Sequence, residues 1–392
     1  MQIGFTQEQT QLRRDLRTYF RDLMTPERVA ATKGLEGGDV HRMLVRQMGK
    51  DGILTLGWPK EFGGDGRTTT DQLILFEEIW VARAPFPVVT ISTIAPALMQ
   101  HGTPEQQQEY LPGIARGEKI FAIGYSEPGS GTDLASLKTT AEKEGAHYIV
   151  NGTKVFTSGA NGADHIWLAA RTDTKAKSPH QGISVMISDV ADPGFSLGAI
   201  ETVAGMRTNM TYYSDVKVGV DKIVGGENNG WRVIQSQLNH ERIALAAMSI
   251  NGVRCFLDTL ALARAENDHG IVPMNDAMIR TLVARIYCRL EAMTQLNHRM
   301  AWQIERGQVD HALASGVKVF ATMELVQAMR EIMELAGPLA SLRGESTGAL
   351  LNGQIEEVYR LAQLNSFGGG AAEVMRAMVA STGLGMPNTI AG

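Results

Sequence analysis

The chain has 392 residues, of which 44% are hydrophobic and 20% charged, as is typical of a globular protein with more than one domain. Its formal net charge of -5 and pI near 6.0 argue against nucleic acid or an anionic membrane as a partner. Only two cysteines are present, Cys255 and Cys288, so a disulfide framework is not expected.

The first part of the chain predicts a helical region. Thr6 and Gln9 form a capping-box pattern, and apolar residues then recur at helical spacing. Further helices are predicted over residues 40–48, 70–84 and 92–101. The N-terminus has no basic stretch followed by an apolar run, and no segment approaches roughly 18 uninterrupted apolar residues. We therefore expect a cytoplasmic protein that does not span a membrane.

From about residue 119 the pattern changes to short β-prone runs that are separated by Gly, Asn, Asp and Pro. Strands are predicted over residues 121–125, 146–150, 154–157, 165–170, 182–188 and 211–220, which indicates a compact barrel or sandwich. Between two of these runs stands Asn151-Gly152, a strong hairpin signal. Such a hairpin would bring residues 156–158 back alongside the preceding loop.

After Gly230 the chain returns to long helical patterns, over residues 231–267, 275–306, 310–335 and 348–364, with a shorter one over 371–381. Several exceed twenty residues, as in a helix bundle. The predicted class is therefore α+β, with an N-terminal α-helical domain (1–118), a middle β-barrel domain (119–226) and a C-terminal four-helix bundle (227–392).

Two motifs in the β region suggest a binding site. In the first, Gly124-Tyr-Ser-Glu-Pro-Gly-Ser-Gly-Thr-Asp133, small residues allow backbone N–H groups to surround a ring edge or a phosphate. Taken alone, this stretch also fits an ordinary surface turn. The second motif, Lys154-Val-Phe-Thr-Ser-Gly159, adds an aromatic face and a hydroxyl, and together the two are typical of a flavin cradle.

These motifs and their order resemble the acyl-CoA dehydrogenase family along essentially the whole chain. Further landmarks match in order: Gly57-Trp-Pro-Lys-Glu-Phe-Gly-Gly64, the pair Gly117-Glu118 ahead of the glycine loop, and Gly369-Gly-Ala-Ala-Glu-Val-Met-Arg376. The resemblance implies FAD, with residues 123–132 around the isoalloxazine ring, Phe156 packed on it and Ser158 near its N5. The cofactor-binding positions it implies are Tyr125, Ser126, Gly131, Thr132, Phe156, Thr157, Ser158, Ala371 and Glu373.

The family removes a proton from the α-carbon of an acyl-CoA while a hydride leaves the β-carbon for flavin N5. Its catalytic Glu occupies one of two positions. The first corresponds here to Gly369, which has no side chain, and the second corresponds to Glu241 in a long helix. The resemblance therefore implies Glu241 as the base. It also implies a Gly369 N–H that polarises the thioester carbonyl, and substrate contacts from Thr132, Asn239, Arg242, Gly369 and Gly370.

Two segments depart from the homotetrameric members, in which a neighbouring subunit completes each FAD site. Glu266-Asn-Asp-His-Gly270 replaces a segment with an Arg for the pyrophosphate, and Met333-Glu-Leu-Ala-Gly-Pro-Leu339 has lost most glycines of an ADP-contacting loop. A carboxylate beside a pyrophosphate is repulsive by on the order of 1 kcal/mol. Arg264 or Arg280 remains an alternative after a shift of register.

This pattern resembles the heteromeric α2β2 acyl-CoA dehydrogenases of bacterial steroid degradation, in which a second, related subunit supplies the pyrophosphate Arg. The resemblance implies a steroid side-chain or ring-remnant CoA ester as substrate and an electron-transfer flavoprotein as electron acceptor. Two other functions stay open at this point: a flavin monooxygenase on the same fold, and a non-catalytic subunit that supports an active relative. Glu241 and the intact loop at 124–133 favour the dehydrogenase.

Overall fold

The computed structural model describes residues 4–267, 270–308 and 311–387, without the side chains of residues 238–245 and 311. Its N-terminal part is helical, as predicted. The helices are α1 (Gln7–Leu23), α2 (Pro26–Thr32), α3 (Asp39–Lys50), α4 (Thr69–Ala82), α5 (Ala95–His101) and α6 (Pro104–Ala115). The predicted capping box at the start of α1 is confirmed, because Thr6 and Gln9 cap each other reciprocally.

Helices α2 and α6 were not predicted from the sequence. Each begins with Thr-Pro, in which the threonine is the N-cap and the proline is the first helical residue. Proline suits this position because its missing N–H would have no partner inside the helix. This dipeptide is therefore a signal from which both helices are predictable.

The middle part is an eight-stranded sheet. Its strands are β1 (Phe121–Gly124), β2 (Thr140–Glu144), β3 (His147–Lys154), β4 (His165–Arg171), β5 (Ile183–Asp189), β6 (Phe195–Glu201), β7 (Arg207–Gly219) and β8 (Ile223–Val224). They lie in the order β6-β7-β3-β2-β4-β5-β8, and β1 pairs with β4 in parallel. The start of the glycine loop thus follows directly from a strand inside the sheet.

The hairpin predicted at Asn151-Gly152 is wrong. These residues lie inside the continuous strand β3, where the register against β7 shifts in a bulge. Asn151 exchanges two hydrogen bonds with Asp215 of β7, and Asp215 has φ +57. Gly152 leaves room for Thr139, whose Oγ1 lies 2.4 Å from where a Cβ would stand. The backbone angles that glycine can adopt are needed in a β-bulge as well as in a tight turn, so the dipeptide is compatible with both.

The C-terminal part is helical: α7 (Gly230–Ala247), α8 (Ile250–Arg264), α9 (Ala277–Glu305), α10 (His311–Ala336), α11 (Gln354–Leu364) and α12 (Ala372–Met378). The single helix predicted over 231–267 is wrong, since it breaks between α7 and α8. At the break, buried Asn297 of α9 donates to Ala246 O (3.1 Å) and to Ser249 Oγ (3.0 Å). Ala246 O also accepts from the backbone N–H (3.2 Å) and the hydroxyl (2.7 Å) of Ser249, so this carbonyl keeps its partners although the helix breaks.

Among the helices that the structure describes, none is long and apolar enough to cross a membrane.

Candidate active site

The two motifs predicted to form a flavin cradle lie side by side. The backbone N–H of Val155 donates to Ser126 O (2.8 Å), which joins the end of β3 to the glycine loop. One residue earlier, Lys154 Nζ donates to Tyr125 O (3.0 Å). The predicted proximity is confirmed, although strand β3 with its bulge produces it and not a hairpin.

A buried ion pair holds the glycine loop, residues 124–133, in place. Glu127 accepts hydrogen bonds from Lys154 Nζ (2.8 Å) and from the backbone N–H groups of Lys138 (2.6 Å) and Thr139 (2.8 Å). Burial lowers the pKa of Lys154 to about 8, although the charge of Glu127 opposes that shift. Burial alone would raise the pKa of Glu127, but Lys154 and the hydrogen bonds from Thr139 outweigh it and hold that pKa below its ordinary value.

Above this pair the cradle presents an open surface. Phe156 is 64% exposed and has φ +58, which is unfavourable for a residue with a side chain. A Cβ at Gly129 or Gly131 would meet no atom within 4 Å, so the loop leaves free space at these positions. Ser158 is also exposed, and its hydroxyl lies 2.9 Å from Thr208 Oγ1. An exposed aromatic ring beside an open glycine loop fits a planar tricyclic cofactor such as a flavin.

Two of the expected cofactor contacts do not fall on exposed side chains. Thr157 is fully buried, its hydroxyl lies 3.2 Å from Thr211 Oγ1, and its backbone exchanges hydrogen bonds with Asn209. The side chain of Tyr125 is also buried. Phe156 and Ser158, on either side of Thr157, are exposed, whereas Thr157 is held against β7 by its contacts with Asn209 and Thr211.

Tyr125 connects the cradle to helix α7. Its hydroxyl donates to Gln237 Oε1, and Trp167 Nε1 donates to the same oxygen (2.9 Å) and to Tyr125 Oη (3.0 Å). All three side chains are buried. This cluster joins β1, β4 and α7, so the glycine loop and the helix cannot shift independently.

Helix α7 carries the predicted base. Glu241 follows Gln237 by four residues, which is about 6 Å along the helix axis, and precedes Ala246 by about 8 Å. Its side chain and those of Asn239 and Arg242 lie outside the described part of the structure. The backbone of Glu241 therefore lies between the contact with the flavin cradle at Gln237 and the cavity wall at Ala246.

The loop before α12 provides the other expected substrate contacts. Gly369 and Gly370 both have positive φ, +67 and +109. Within the described residues, the N–H of Gly369 has no hydrogen-bond partner. Lys318 of α10 donates to Gly370 O, and burial lowers the pKa of this lysine. Ala371 is the N-cap of α12, and Glu373 is exposed in its first turn.

A cavity lies between α7, α9, α10 and this loop, with about 710 Å³ of space not filled by protein atoms, part of it open to solvent. Its apolar lining comes mainly from α10, which contributes Ala314, Val317, Ala321 and Leu325. Polar groups interrupt this lining on several sides, and Gly368 and Gly369 close one end. The polar lining residues are Ser249, Asn297, Lys318, Thr322 and Asn365.

These polar residues were missed in the sequence. The signal for one of them is readable: the buried face of α9 runs through Leu290, Met293, Asn297, Met300 and Ala301, and Asn297 is its only amide. A polar residue at helical spacing inside an apolar stripe points to a buried hydrogen-bond role. Within the described residues, no cluster of His, Cys, Asp or Glu is arranged to hold a metal ion.

The two divergent segments lie at helix ends. Glu266 follows α8, while Asp268 and His269 lie outside the described residues. Residues 333–336 form the last turn of α10, and Gly337 and Pro338 follow it. Of the alternative cations, Arg280 Nη1 donates to two carbonyls of the turn that precedes α9, Met274 O and Asn275 O. Arg264 is exposed at the end of α8.

Three sequence profiles match successive parts of the chain. They describe the N-terminal domain of acyl-CoA dehydrogenase over residues 6–118, its middle domain over 122–217 and its C-terminal domain over 228–384. Together they cover most of the chain.

Individual proteins are similar over nearly the full length. Acyl-CoA dehydrogenase FadE26 of Mycobacterium tuberculosis is 44% identical, with 99% of each chain covered. Among solved structures, the Tcur3481-Tcur3483 steroid ACAD has a TM-score of 0.94 and 45% identity, covering 99% of this chain and 100% of that one. The ChsE4-ChsE5 complex from Mycobacterium tuberculosis has a TM-score of 0.93 and 44% identity, again covering 99% and 100%.

Proposed function

The chain belongs to the acyl-CoA dehydrogenase family, and on that basis we propose that it carries out the α,β-dehydrogenation of an acyl-CoA thioester with FAD as cofactor and Glu241 as base. The family is one of flavin-dependent oxidoreductases. The single observation that carries the assignment of roles is the course of helix α7. It contacts the flavin cradle at Gln237, borders the cavity at Ala246, and places Glu241 between them.

The cradle residues fit the ring end of FAD. Phe156 offers an exposed aromatic face, and Ser126, Thr132 and Ser158 offer hydroxyls on or beside the glycine loop. When bound, FAD supplies the acceptor for the hydride that leaves the substrate β-carbon. The protein's part is to hold the flavin ring next to the cavity. The hydrogen bonds from Tyr125 to Gln237 and from Lys154 to Glu127 make the glycine loop rigid for this purpose.

Glu241 takes the proton from the α-carbon. A carboxylate can do so when its pKa is raised toward that of the activated substrate, and exclusion of water from an apolar cavity has this effect. Asn239 and Arg242 of the same helix are proposed to contact the substrate, together with Thr132 of the glycine loop.

Gly369 makes the α-proton more acidic. Its N–H has no partner among the described residues and belongs to the cavity lining, so it is available to a thioester carbonyl. A fixed N–H at this place stabilises the negative charge that develops on the carbonyl oxygen when the proton leaves. The neighbouring carbonyl of Gly370 is held by Lys318, which keeps the loop in place.

The proposed substrate is the CoA thioester of a steroid side chain or ring remnant. Support comes from the similarity to the steroid ACAD structure. We further propose a second acyl-CoA dehydrogenase-like subunit in an α2β2 assembly, because the similar ChsE4-ChsE5 structure is a complex and because Glu266 replaces a pyrophosphate Arg. An electron-transfer flavoprotein is the proposed electron acceptor.

The base assignment is tested with Glu241→Gln in the FAD-loaded protein. We expect the flavin spectrum and FAD content to be unchanged and the rate of anaerobic flavin bleaching by acyl-CoA to fall by about a hundredfold to ten-thousandfold, the typical contribution of general base catalysis. The matched control is Glu144→Gln, which removes an equal charge from an exposed position at the end of β2. If acyl-CoA still bleaches the flavin of Glu241→Gln, the base lies elsewhere. If none of the acyl-CoA esters bleaches the flavin of the unaltered protein, the dehydrogenase function is excluded.

The assembly is tested by purifying the chain alone and together with a related subunit that carries the pyrophosphate Arg. We expect tight FAD only in the joint preparation, at one FAD for each pair of different subunits. A lone chain that keeps stoichiometric FAD would contradict the shared site, without bearing on the role of Glu241.

A further inference from the structure

The amide of Asn297 is an unusual feature of the acyl cavity. Asn297 lies on α9, is 2% exposed and belongs to the cavity lining. Its Nδ2 donates to Ala246 O (3.1 Å) and to Ser249 Oγ (3.0 Å). Because a backbone carbonyl can only accept, the nitrogen must face Ala246, and this decides which way the amide points.

The other amide atom, Asn297 Oδ1, is buried and has no hydrogen-bond partner among the described residues. An amide oxygen accepts up to two hydrogen bonds, and leaving a buried acceptor unpaired is costly. The hydroxyl of Ser249 cannot serve it, because Ser249 already donates to Ala246 O (2.7 Å). A donor that enters the cavity would therefore complete the hydrogen bonding of Asn297.

The surrounding polar groups do not supply that donor. None of the polar lining groups, Asn365 included, donates to Asn297 Oδ1 in the described structure; Thr322 directs its hydroxyl to Lys318 O on its own helix, and Lys318 directs a hydrogen bond to Gly370 O. The apolar neighbours, among them Met300 and Val317, have none to offer. The wall around Asn297 thus presents an acceptor that has no donor among the described residues and that a ligand or a trapped water can satisfy.

A saturated hydrocarbon acyl group cannot pair with this oxygen, and the thioester carbonyl is itself an acceptor. We propose that the acyl group bears a hydroxyl group, which donates to Asn297 Oδ1, so that Asn297 is a specificity-determining residue. This inference rests on the proposed function, since it assigns the cavity to the acyl group. It adds that the substrates are hydroxylated acyl-CoA thioesters.

The test compares four CoA esters on the FAD-loaded protein with its partner subunit. Cholanoyl-CoA has no hydroxyl, while lithocholoyl-, chenodeoxycholoyl- and deoxycholoyl-CoA add hydroxyls at different ring positions. We expect at least one hydroxylated ester to exceed cholanoyl-CoA in kcat/KM by about tenfold or more, because a site with a buried acceptor discriminates against an analogue that leaves it unpaired. A kcat/KM ratio at or below one for all three hydroxylated esters would overturn the inference. This is the result expected if a water molecule or the amide N–H groups of CoA donate to Asn297 Oδ1.

In the Asn297→Leu variant the same kcat/KM ratio should fall to about one or below, because an apolar leucine favours contact with the ester that has no hydroxyl. Damage to the α7–α8 junction would lower kcat/KM for all esters and leave their ratio unchanged, so the ratio separates specificity from structure. The matched control is Thr322→Val, which removes a cavity hydroxyl whose hydrogen is already bonded within α10 and should keep the ratio of the unaltered protein. An Asn297→Leu variant that retains the preference would contradict the inference.

Should Asn297→Leu fail to fold, the comparison of the four esters on the unaltered protein decides alone. Should none of the esters reduce the flavin, the proposed function fails instead. The preference is then measured as the ratio of dissociation constants by titration calorimetry, with the same tenfold expectation.

Discussion

Replacement of Lys154 by methionine tests the buried support of the flavin cradle. Lys154 is fully buried and Glu127 is 8% exposed, so the change removes the countercharge of a carboxylate that water hardly reaches. Breaking a buried pair typically costs about 3–5 kcal/mol. Glu127 retains the N–H groups of Lys138 and Thr139, which favours the lower end, about 3 kcal/mol. Tyr125 O also loses its Lys154 partner, so the glycine loop should bind FAD more weakly.

The assay is urea unfolding of the apoprotein followed by circular dichroism, together with FAD titration. The double variant Lys154→Met with Glu127→Gln serves as control, because it leaves no unpaired charge and should recover at least about 1 kcal/mol of the lost stability. A loss below about 1 kcal/mol in the single variant, the range of exposed pairs, would refute the reasoning.

The same pair predicts a dependence on alkaline pH. The pKa of Lys154 is about 8 in the folded protein against 10.5 ordinarily, so between these values the unfolded chain binds more protons than the folded one. Stability therefore rises with pH in this window relative to Lys154→Met, in which other titrating groups are the same. A difference in unfolding free energy that stays constant or falls from pH 8 to 10.5 would contradict the burial of a titrating lysine here.

Three further changes have distinct expected outcomes. Phe156→Gly should stabilise the apoprotein by up to about 1 kcal/mol, because it relieves a φ of +58 at an exposed residue, and should weaken FAD binding; unfolding and FAD titration must move in opposite directions. Gln237→Met should cost about 1–3 kcal/mol in urea unfolding, since Tyr125 loses the buried acceptor of its hydroxyl and Trp167 keeps only Tyr125 Oη, and a neutral result would refute the role of this cluster. Gly152→Ala should destabilise by more than about 1 kcal/mol, because Thr139 occupies the space of the new methyl group; unchanged stability would show that the bulge is not constrained.

The outcome at Asn151-Gly152 shows why a local signal is ambiguous. The dipeptide permits unusual backbone angles, and both a two-residue turn and a bulge need them. Asp215 on β7 and Thr139 contact these residues from distant parts of the chain, and these contacts favour the bulge over the turn. The break between α7 and α8 is similar, because the apolar spacing continues through it and Asn297 of another helix stabilises it.

The sequence by itself determined the order of helical, β and helical regions, the family, and the two motifs of the flavin cradle, since periodicity and short motifs are encoded in neighbouring residues. Only the tertiary structure decided that Thr157 and Tyr125 face inward, that Gln237 ties the cradle to α7, and that Asn297 brings an unpaired acceptor to the cavity. These facts depend on which groups meet across elements far apart in the chain. The burial and the hydrogen-bond partners of a side chain depend on contacts between distant segments, so they cannot be read from one stretch of residues.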